Sequence, residues 1–377
     1  MEFLAAGLWD YVLPFILVLT VLVFVHEMGH YLAARQCGVR VEVFSIGFGP
    51  EIYGFTGKTG TRWKFSAIPF GGYVRMFGEQ PPDNHSSETT YSQDDVEVSF
   101  YNKSLRQRGW IVFAGPLANF LFAIVVLAGL FSIVGQPYTP ADVGKVVSGS
   151  AAEEAGLKPG DIFVKIDSTK IKRFEQVRRI VQLSPDRRLS MVVVRGGKEI
   201  TLIVVPKAVE VTQFGSKQTI GRLGVSRSGG DMVFIRHDPF TAVWEATVRT
   251  AVLSGNILDA LGQIISGKRN AKELGGPVRI AQISGDMAQA GIIMVIQFVA
   301  ILSINLGLIN LFPIPLLDGG HLVFYAIEAL RGRPVSERAM GFSMNIGLTL
   351  ILCLTVFVTW NDLVQLRFVE YVVGLVT

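Results

Sequence analysis

His26-Glu27-Met28-Gly29-His30 is the pattern in this chain best suited to chemistry. Residues four apart share one face of a helix, so both imidazoles can reach a single ion. Neutral imidazole nitrogens suit Zn²⁺, and a site with three protein ligands keeps its fourth position for water. A carboxylate beside the first histidine can take a proton from that water. This is the logic of a metal-dependent hydrolase of the H-E-x-x-H kind. The alternative is a chance pattern whose histidines hydrogen-bond to neighbouring helices. The surroundings weigh against it, because the motif lies inside an apolar run, where polar groups are costly and mark function.

A third ligand must come from elsewhere. Asn310-Leu-Phe-Pro313-Ile-Pro315-Leu-Leu-Asp318-Gly319-Gly320-His321 offers two candidates in apolar surroundings, Asp318 and His321. His85 and His237 lie in polar segments. Pro313 and Pro315 interrupt a helix, and irregular backbone at such depth lines a cavity. Either Asp318 or His321 could complete the site, and spacing does not decide between them. Asp318 could also simply open a helix. The Asn310 amide could donate to a developing oxyanion or to substrate backbone, or hydrogen-bond a neighbouring helix.

The elements that must position these groups are apolar. The chain has 377 residues, 50% hydrophobic and 18% charged, against about 25% charged in ordinary soluble domains. Its mean hydropathy is +0.42. Intrinsic disorder is excluded, and so is nucleic-acid binding, because the net charge of +4 is small and scattered. Two cysteines, Cys37 and Cys353, rule out a disulfide scaffold. Four segments approach the length needed to span a bilayer: Trp9–Ala34, Trp110–Val134, Gly291–Phe312 and Phe342–Trp360. The first lacks a basic leader and a small-residue cleavage site, so it reads as a span rather than a cleaved signal. Arg35, Arg40, Lys103, Arg106, Arg108, Arg331, Arg333 and Arg338 flank the spans. They place residues 35–108 and 331–340 in the cytoplasm, and both termini and residues 136–288 outside.

Between the first two spans, residues 39–77 read as four short strands, Val39–Ile46, Glu51–Phe55, Thr61–Ile68 and Tyr73–Phe77. Residues 79–99 are polar and read as a mobile loop. Residues 141–208 read as a compact β-rich module. Pro239–Ile265 has helical periodicity through Trp244, Val248, Val252 and Ile257, and is amphipathic enough to lie on a membrane surface. No inverted internal repeat marks a transporter.

With these residues assembled, the chain resembles the site-2 proteases, intramembrane zinc metalloproteases, and within them the regulator-of-sigma-E protease branch. Gly47-Phe48-Gly49-Pro50, Pro69-Phe70-Gly71-Gly72-Tyr73, Ala114-Gly115-Pro116-Leu117-Ala118-Asn119 and Gly275-Gly276-Pro277 support the resemblance, in the family's order. It implies that His26, His30 and Asp318 bind zinc, settling the choice against His321, and that Glu27 activates water. Asn310, Pro313 and Pro315 match the family's substrate-handling segment. Residues 39–77 match a membrane-associated β-hairpin region that presents an edge strand to an unwound substrate. Ala155-Gly156-Leu157-Lys158-Pro159-Gly160-Asp161-Ile162 resembles a PDZ domain, and only one such module is found where that branch carries two.

The implied architecture is a polytopic α-helical membrane protein with about four transmembrane helices, a cytoplasmic-side β-hairpin region and one extracytoplasmic PDZ-like α/β domain. Its divisions are 1–38, the first span; 39–108, the β region and loop; 109–135, the second span; 136–210, the PDZ-like domain; 211–288, a linker and amphipathic helix; 289–330, the third transmembrane segment; and 331–377, the fourth span. The resemblance implies a bacterial inner membrane location and single-span membrane substrates of the anti-sigma factor or signal-peptide remnant type. These are usually cut first by a site-1 type protease. The partners are those proteins and the lipid bilayer, with no nucleic acid. Two rivals from other classes are a zinc-dependent membrane scaffold, which would not need Glu27, and a metal-ion transporter, for which no second ligand set is found.

Overall fold

The computed structural model describes residues 9–79, 93–138, 140–171, 173–213, 216–226, 233–267 and 275–365. Two compact units divide the chain. One holds Met1–Gly129, Val243–Leu258 and Lys272–Thr377; the other holds Leu130–Ala242 and Asp259–Ala271.

The first unit begins with α1, Trp9–Gln36, long enough to cross a bilayer at about 1.5 Å per residue. Asp10 in its first turn and Arg35 in its last complement the helix dipole. Tyr11, Phe15, Val18 and Leu22 form a buried stripe that continues to Gly29, His30 and Ala33, whereas Leu13, Leu17 and Leu32 are exposed. One face of α1 therefore packs on protein, and the His26–His30 motif lies on that face.

Two long strands follow, β1 (Val41–Thr56) and β2 (Arg62–Met76), where four short ones were expected. Both bend at glycines with left-handed backbone: Gly47 (φ 90°), Gly49 (φ 88°) and Gly71 (φ 100°). The pairing is still that of four segments. Phe44 lies opposite both Val74 and Trp63, and Phe55 lies opposite Trp63 as well. The Phe44 ring stacks on Trp63 with centroids 4.5 Å apart, and Tyr31 of α1 meets both rings edge-on. Phe44 belongs to a core with Ala33, Ala34, Val39, Val41, Ile111 and Ala114, which fixes the hairpin to its neighbouring helices.

Of the loop expected over 79–99, residues 80–92 lie outside the described residues. Residues Gln93–Val98 instead form a short helix, α2. Its flanks are tied to the hairpin, with Arg40 N–H donating to Val98 O (3.1 Å) and Phe100 N–H to Phe77 O (2.8 Å). Ser104 and Gln107 then make a reciprocal capping box at the start of α3, Leu105–Ile133.

The second unit is a β-rich module. Its strands are β3 (Gln136–Tyr138), β4 (Lys145–Val146), β5 (Ile162–Ile166), β6 (Thr169–Lys170), β7 (Leu189–Arg195), β8 (Lys198–Val204), β9 (Lys207–Gln213), β10 (Ser216–Arg222), β11 (Val225–Ser226) and β12 (Val233–Ile235). Its helices are α4 (Ala151–Glu154) and α5 (Phe174–Gln182). A four-stranded sheet in the order β6-β5-β7-β8 covers a core that includes Phe163, Ile166, Val177, Leu189, Met191 and Val193. Asp161 is buried in this unit, and both its carboxylate oxygens accept from Arg195, at 2.6 and 2.7 Å.

The module extends further than the expected 141–208. Residues 207–222 form the β9–β10 hairpin, β11 pairs with β4, and β12 pairs with β3. Strands therefore occupy the segment from 211 that reads in sequence as linker. Leu223, just after the hairpin, is part of the module's core.

A long helix, α6 (Pro239–Ile265), follows. Asp238 caps it, accepting from the N–H groups of Phe240 and Thr241 at 3.1 Å, with Pro239 in the first turn. Phe240, Trp244, Val248 and Val252 are exposed along it. The remaining helices belong to the first unit. They are α7 (Pro277–Ala290), α8 (Ile292–Asn310), α9 (Asp318–Arg331) and α10 (Glu337–Gln365). Among the described residues, four helices are long and apolar enough to cross a membrane: α1, α3, α8 and most of α10. Sequence reading placed no separate helix at 277–290. Asp362 of α10 caps α7 from outside, accepting from the N–H groups of Gly276 (3.0 Å) and Arg279 (2.9 Å).

Candidate metal centre

His26 and His30 stand on successive turns of α1, and Asp318 is the first residue of α9. His26 Nε2 lies 3.2 Å from Asp318 Oδ2, and His30 Nε2 lies 3.5 Å from Asp318 Oδ1. The two Nε2 atoms are 3.3 Å apart. Zinc bonds of about 2.0 Å at tetrahedral angles set ligand atoms about 3.3 Å apart. The three side chains thus already have the spacing of zinc ligands. Asp318 Oδ2 is buried and accepts no hydrogen bond, a position that a cation relieves. Two imidazoles and one carboxylate are a donor set suited to zinc.

Backbone geometry makes room for each ligand. His30 Nδ1–H donates to Ile111 O (2.9 Å) on α3, which turns Nε2 towards Asp318. Gly115 of α3 lies flat against the His30 ring, where any Cβ would collide with it. Gly29 does the same against Ala114 O, so α1 and α3 approach at their glycines. The Ala114-Gly115-Pro116 motif thereby acquires a physical role.

Asp318 is delivered by the turn between α8 and α9. Leu316 there has φ 94°, a left-handed conformation costly for a leucine. Gly319 and Gly320 pack onto the carbonyls of Leu311, Phe312 and Ile314, so the first turn of α9 sits directly on the proline-broken segment. A side chain at either glycine would push Asp318 away from the histidines.

Glu27 lies beside Val74 and Gly72, and a Cβ on Gly72 would be 3.4 Å from Glu27 Cγ. The last part of β2 therefore runs past the glutamate. A cavity of about 460 Å³ opens here, lined by Glu27, Tyr73, Asn310, His321 and the three candidate ligands. Pro313 and Pro315 do not line it. The Pro315 backbone packs instead on Gly347 of α10. His321 lies one turn beyond Asp318 and lines the cavity without joining the cluster of three donors.

Two features escape sequence reading. Asn119 of α3, fully buried, hydrogen-bonds His26 Nδ1 at 3.0 Å. Arg108 near the start of α3 pairs with Glu328 of α9 at 2.6 Å and lies over the Tyr325 ring at 5.2 Å. Both are contacts between helices far apart in sequence, which local spacing does not report. The only sequence signals are an asparagine inside an apolar span and an arginine otherwise read as one of several flanking charges. Together the cluster can hold a divalent ion beside a carboxylate base, inside a cavity that a peptide backbone could enter.

Residues 14–354 match Peptidase family M50. A protein of Agrobacterium fabrum named as a zinc metalloprotease is 48% identical over 365 residues, covering 95% of this chain and 97% of its own. One of Rhizobium meliloti, also named as a zinc metalloprotease, is 44% identical over 362 residues, covering 94% and 96%. The metalloprotease MmpA of Caulobacter vibrioides is 36% identical over 386 residues, covering 96% and 97%.

Proposed function

The chain belongs to peptidase family M50, the site-2 type zinc metalloproteases, and on that premise we propose that it cuts single-span membrane proteins within or near the bilayer. In this reading His26, His30 and Asp318 hold the zinc and Glu27 is the general base. The observation that carries it is the meeting of all four side chains in one cavity among the apolar helices, three of them at zinc-ligand spacing.

Zinc, when bound, polarises a substrate carbonyl and lowers the pKa of water towards ~7. The Glu27 carboxylate takes a proton from the attacking water and delivers it to the leaving amide nitrogen. Attack by water balances the reaction, so no acyl-enzyme is needed. Asn310 lines the cavity from the end of α8, and its amide N–H₂ is suited to donate to the carbonyl oxygen as negative charge develops. Pro313 and Pro315 act indirectly, by breaking the helix that would otherwise carry Asp318 away.

A helical substrate hides its carbonyls in its own hydrogen bonds and must unwind before cleavage. We infer that it adds as a strand beside residues 72–74, because this segment passes Glu27. The β-rich unit acts as a PDZ-like module. Its groove of about 670 Å³, between α5 and residues 220–226, suits an extended peptide. The substrates are of the anti-sigma factor or signal-peptide remnant type, after a first cut by a site-1 type protease. The protein sits in the inner membrane with the module and both termini outside, as the flanking basic residues favour.

The test is cleavage of a single-span substrate with a short external tail, co-expressed with wild type or Glu27→Gln at matched levels. Product with wild type alone is expected. Equal product from a zinc-loaded Glu27→Gln enzyme would remove Glu27 from the mechanism.

A further inference from the structure

We propose that Asn119 is a positioning residue for the metal site, its amide oxygen accepting the Nδ1 proton of a metal-bound His26. The proposal rests on reading His26, His30 and Asp318 as the zinc ligands.

The two histidines are backed differently. His30 Nδ1 faces the Ile111 carbonyl, which can only accept. That places a proton on Nδ1 and makes Nε2 the atom that can bind an ion. His26 Nδ1 faces the amide of Asn119 instead, with Nδ2 at 3.0 Å, and the other amide atom, Oδ1, is buried without a partner. An amide donor at Nδ1 requires that nitrogen to be unprotonated. The ring proton then sits on Nε2, the atom that points at Asp318. In that tautomer Nε2 carries the proton and cannot be a ligand. A metal-bound His26 needs the opposite arrangement, with Nδ1–H donating to an acceptor. A half-turn of the Asn119 amide supplies that acceptor without moving the backbone.

The backbone is in fact held. Ser303 Oγ of α8 donates to Asn119 O at 2.8 Å, and Ser303 is fully buried. Gly307 of α8 lets the helices close, and a Cβ there would lie 3.2 Å from Asn119 Cβ. The amide can therefore turn about its own side-chain bonds while remaining opposite His26. Asparagine carries both a donor and an acceptor at this place. Leucine has a similar shape and offers neither group. Aspartate offers only the acceptor.

The experiment uses the full chain in detergent, measuring zinc content and zinc affinity by chelator competition, with thermal unfolding of the metal-free forms as a folding control. Wild type is compared with Asn119→Leu, Asn119→Asp and Asp318→Asn. Asn119→Leu is expected to bind zinc about 10–100-fold more weakly, and Asn119→Asp at least as tightly as wild type. Cobalt substitution gives a second readout, with the absorption spectrum of Asn119→Asp matching wild type. Unchanged zinc affinity in Asn119→Leu overturns the proposal. So does Asn119→Asp as weak as Asn119→Leu, because an accepting oxygen is then not what matters. If Asn119→Leu fails to fold, the Asn119→Asp result decides alone. Asp318→Asn separates the underlying reading. If it keeps full zinc affinity, the site itself is wrongly assigned, whatever Asn119 does.

Discussion

The imidazole of His30 rests on the bare backbone of Gly115, with no space between them for a single carbon. The glycine is thus part of the mould that holds this imidazole in the donor cluster. Gly115→Ala is expected to displace the ring from Asp318 and to lower zinc affinity at least tenfold, on the scale of losing a residue that orients a ligand. Zinc content of the purified protein checks this directly. Full zinc occupancy in Gly115→Ala would show that the ring has another place to go.

The Arg108–Glu328 pair ties the start of α3 to the last turn of α9, and both side chains are largely buried. Removing one partner leaves the other charge buried, at a cost of about 3 kcal/mol. Glu328→Gln should therefore lower the unfolding midpoint clearly. The exchange Arg108→Glu with Glu328→Arg should recover part of the loss. Additive losses in that double variant would mean that the two residues act separately.

Much of the site can be read from sequence, for a local reason. His26, Glu27 and His30 lie within five consecutive residues, and helical periodicity alone puts the imidazoles together. Asp318 and His321 could not be separated that way, because they sit one turn apart at the start of the same helix. The packing of Gly319 and Gly320 on the preceding carbonyls brings Asp318, rather than His321, into the donor cluster. Asn119 and Gly115 belong to contacts across helices, and no spacing rule reaches that far. In the hairpin region the four expected segments survive as pairing partners, although glycine-bent backbone joins them into two strands. The end of the β-rich module is hard to see in the sequence because Lys207–Arg222 is polar, and its alternation is weak beside that of the core strands.

Acid should loosen the β-rich module through Asp161. Burial raises the pKa of this carboxyl, but the Arg195 guanidinium and the Lys158 N–H outweigh it and hold it below the usual range. A lowered folded-state pKa adds stability above the unfolded value of about 3.9, and that stability is lost as pH falls through the folded value. Asp161→Asn should cost about 2 kcal/mol at neutral pH. It should also flatten the decline of stability below pH ~4, seen in thermal unfolding across pH. An unchanged acid limb would assign that decline to other carboxylates.

Asp362 caps α7 from a different helix, holding two of its first N–H groups. Asp362→Ala should destabilise by about 1 kcal/mol, the usual cost of a lost N-cap. Hydrogen exchange should speed up at residues 276–280 before it does in the middle of α8. Uniform protection in the variant would show that α7 is held by packing alone, including the fit of Gly285 against the Tyr11 ring.

Asp318 reaches the two histidines from the far end of the polypeptide. During synthesis, α1 and its whole H-E-x-x-H motif enter the membrane long before α9 exists. A nascent chain at that stage carries two of the three clustered donors and no complete cluster. If these residues are the zinc site, no complete centre exists until α9 has docked, and the order of synthesis itself sets when proteolysis can start.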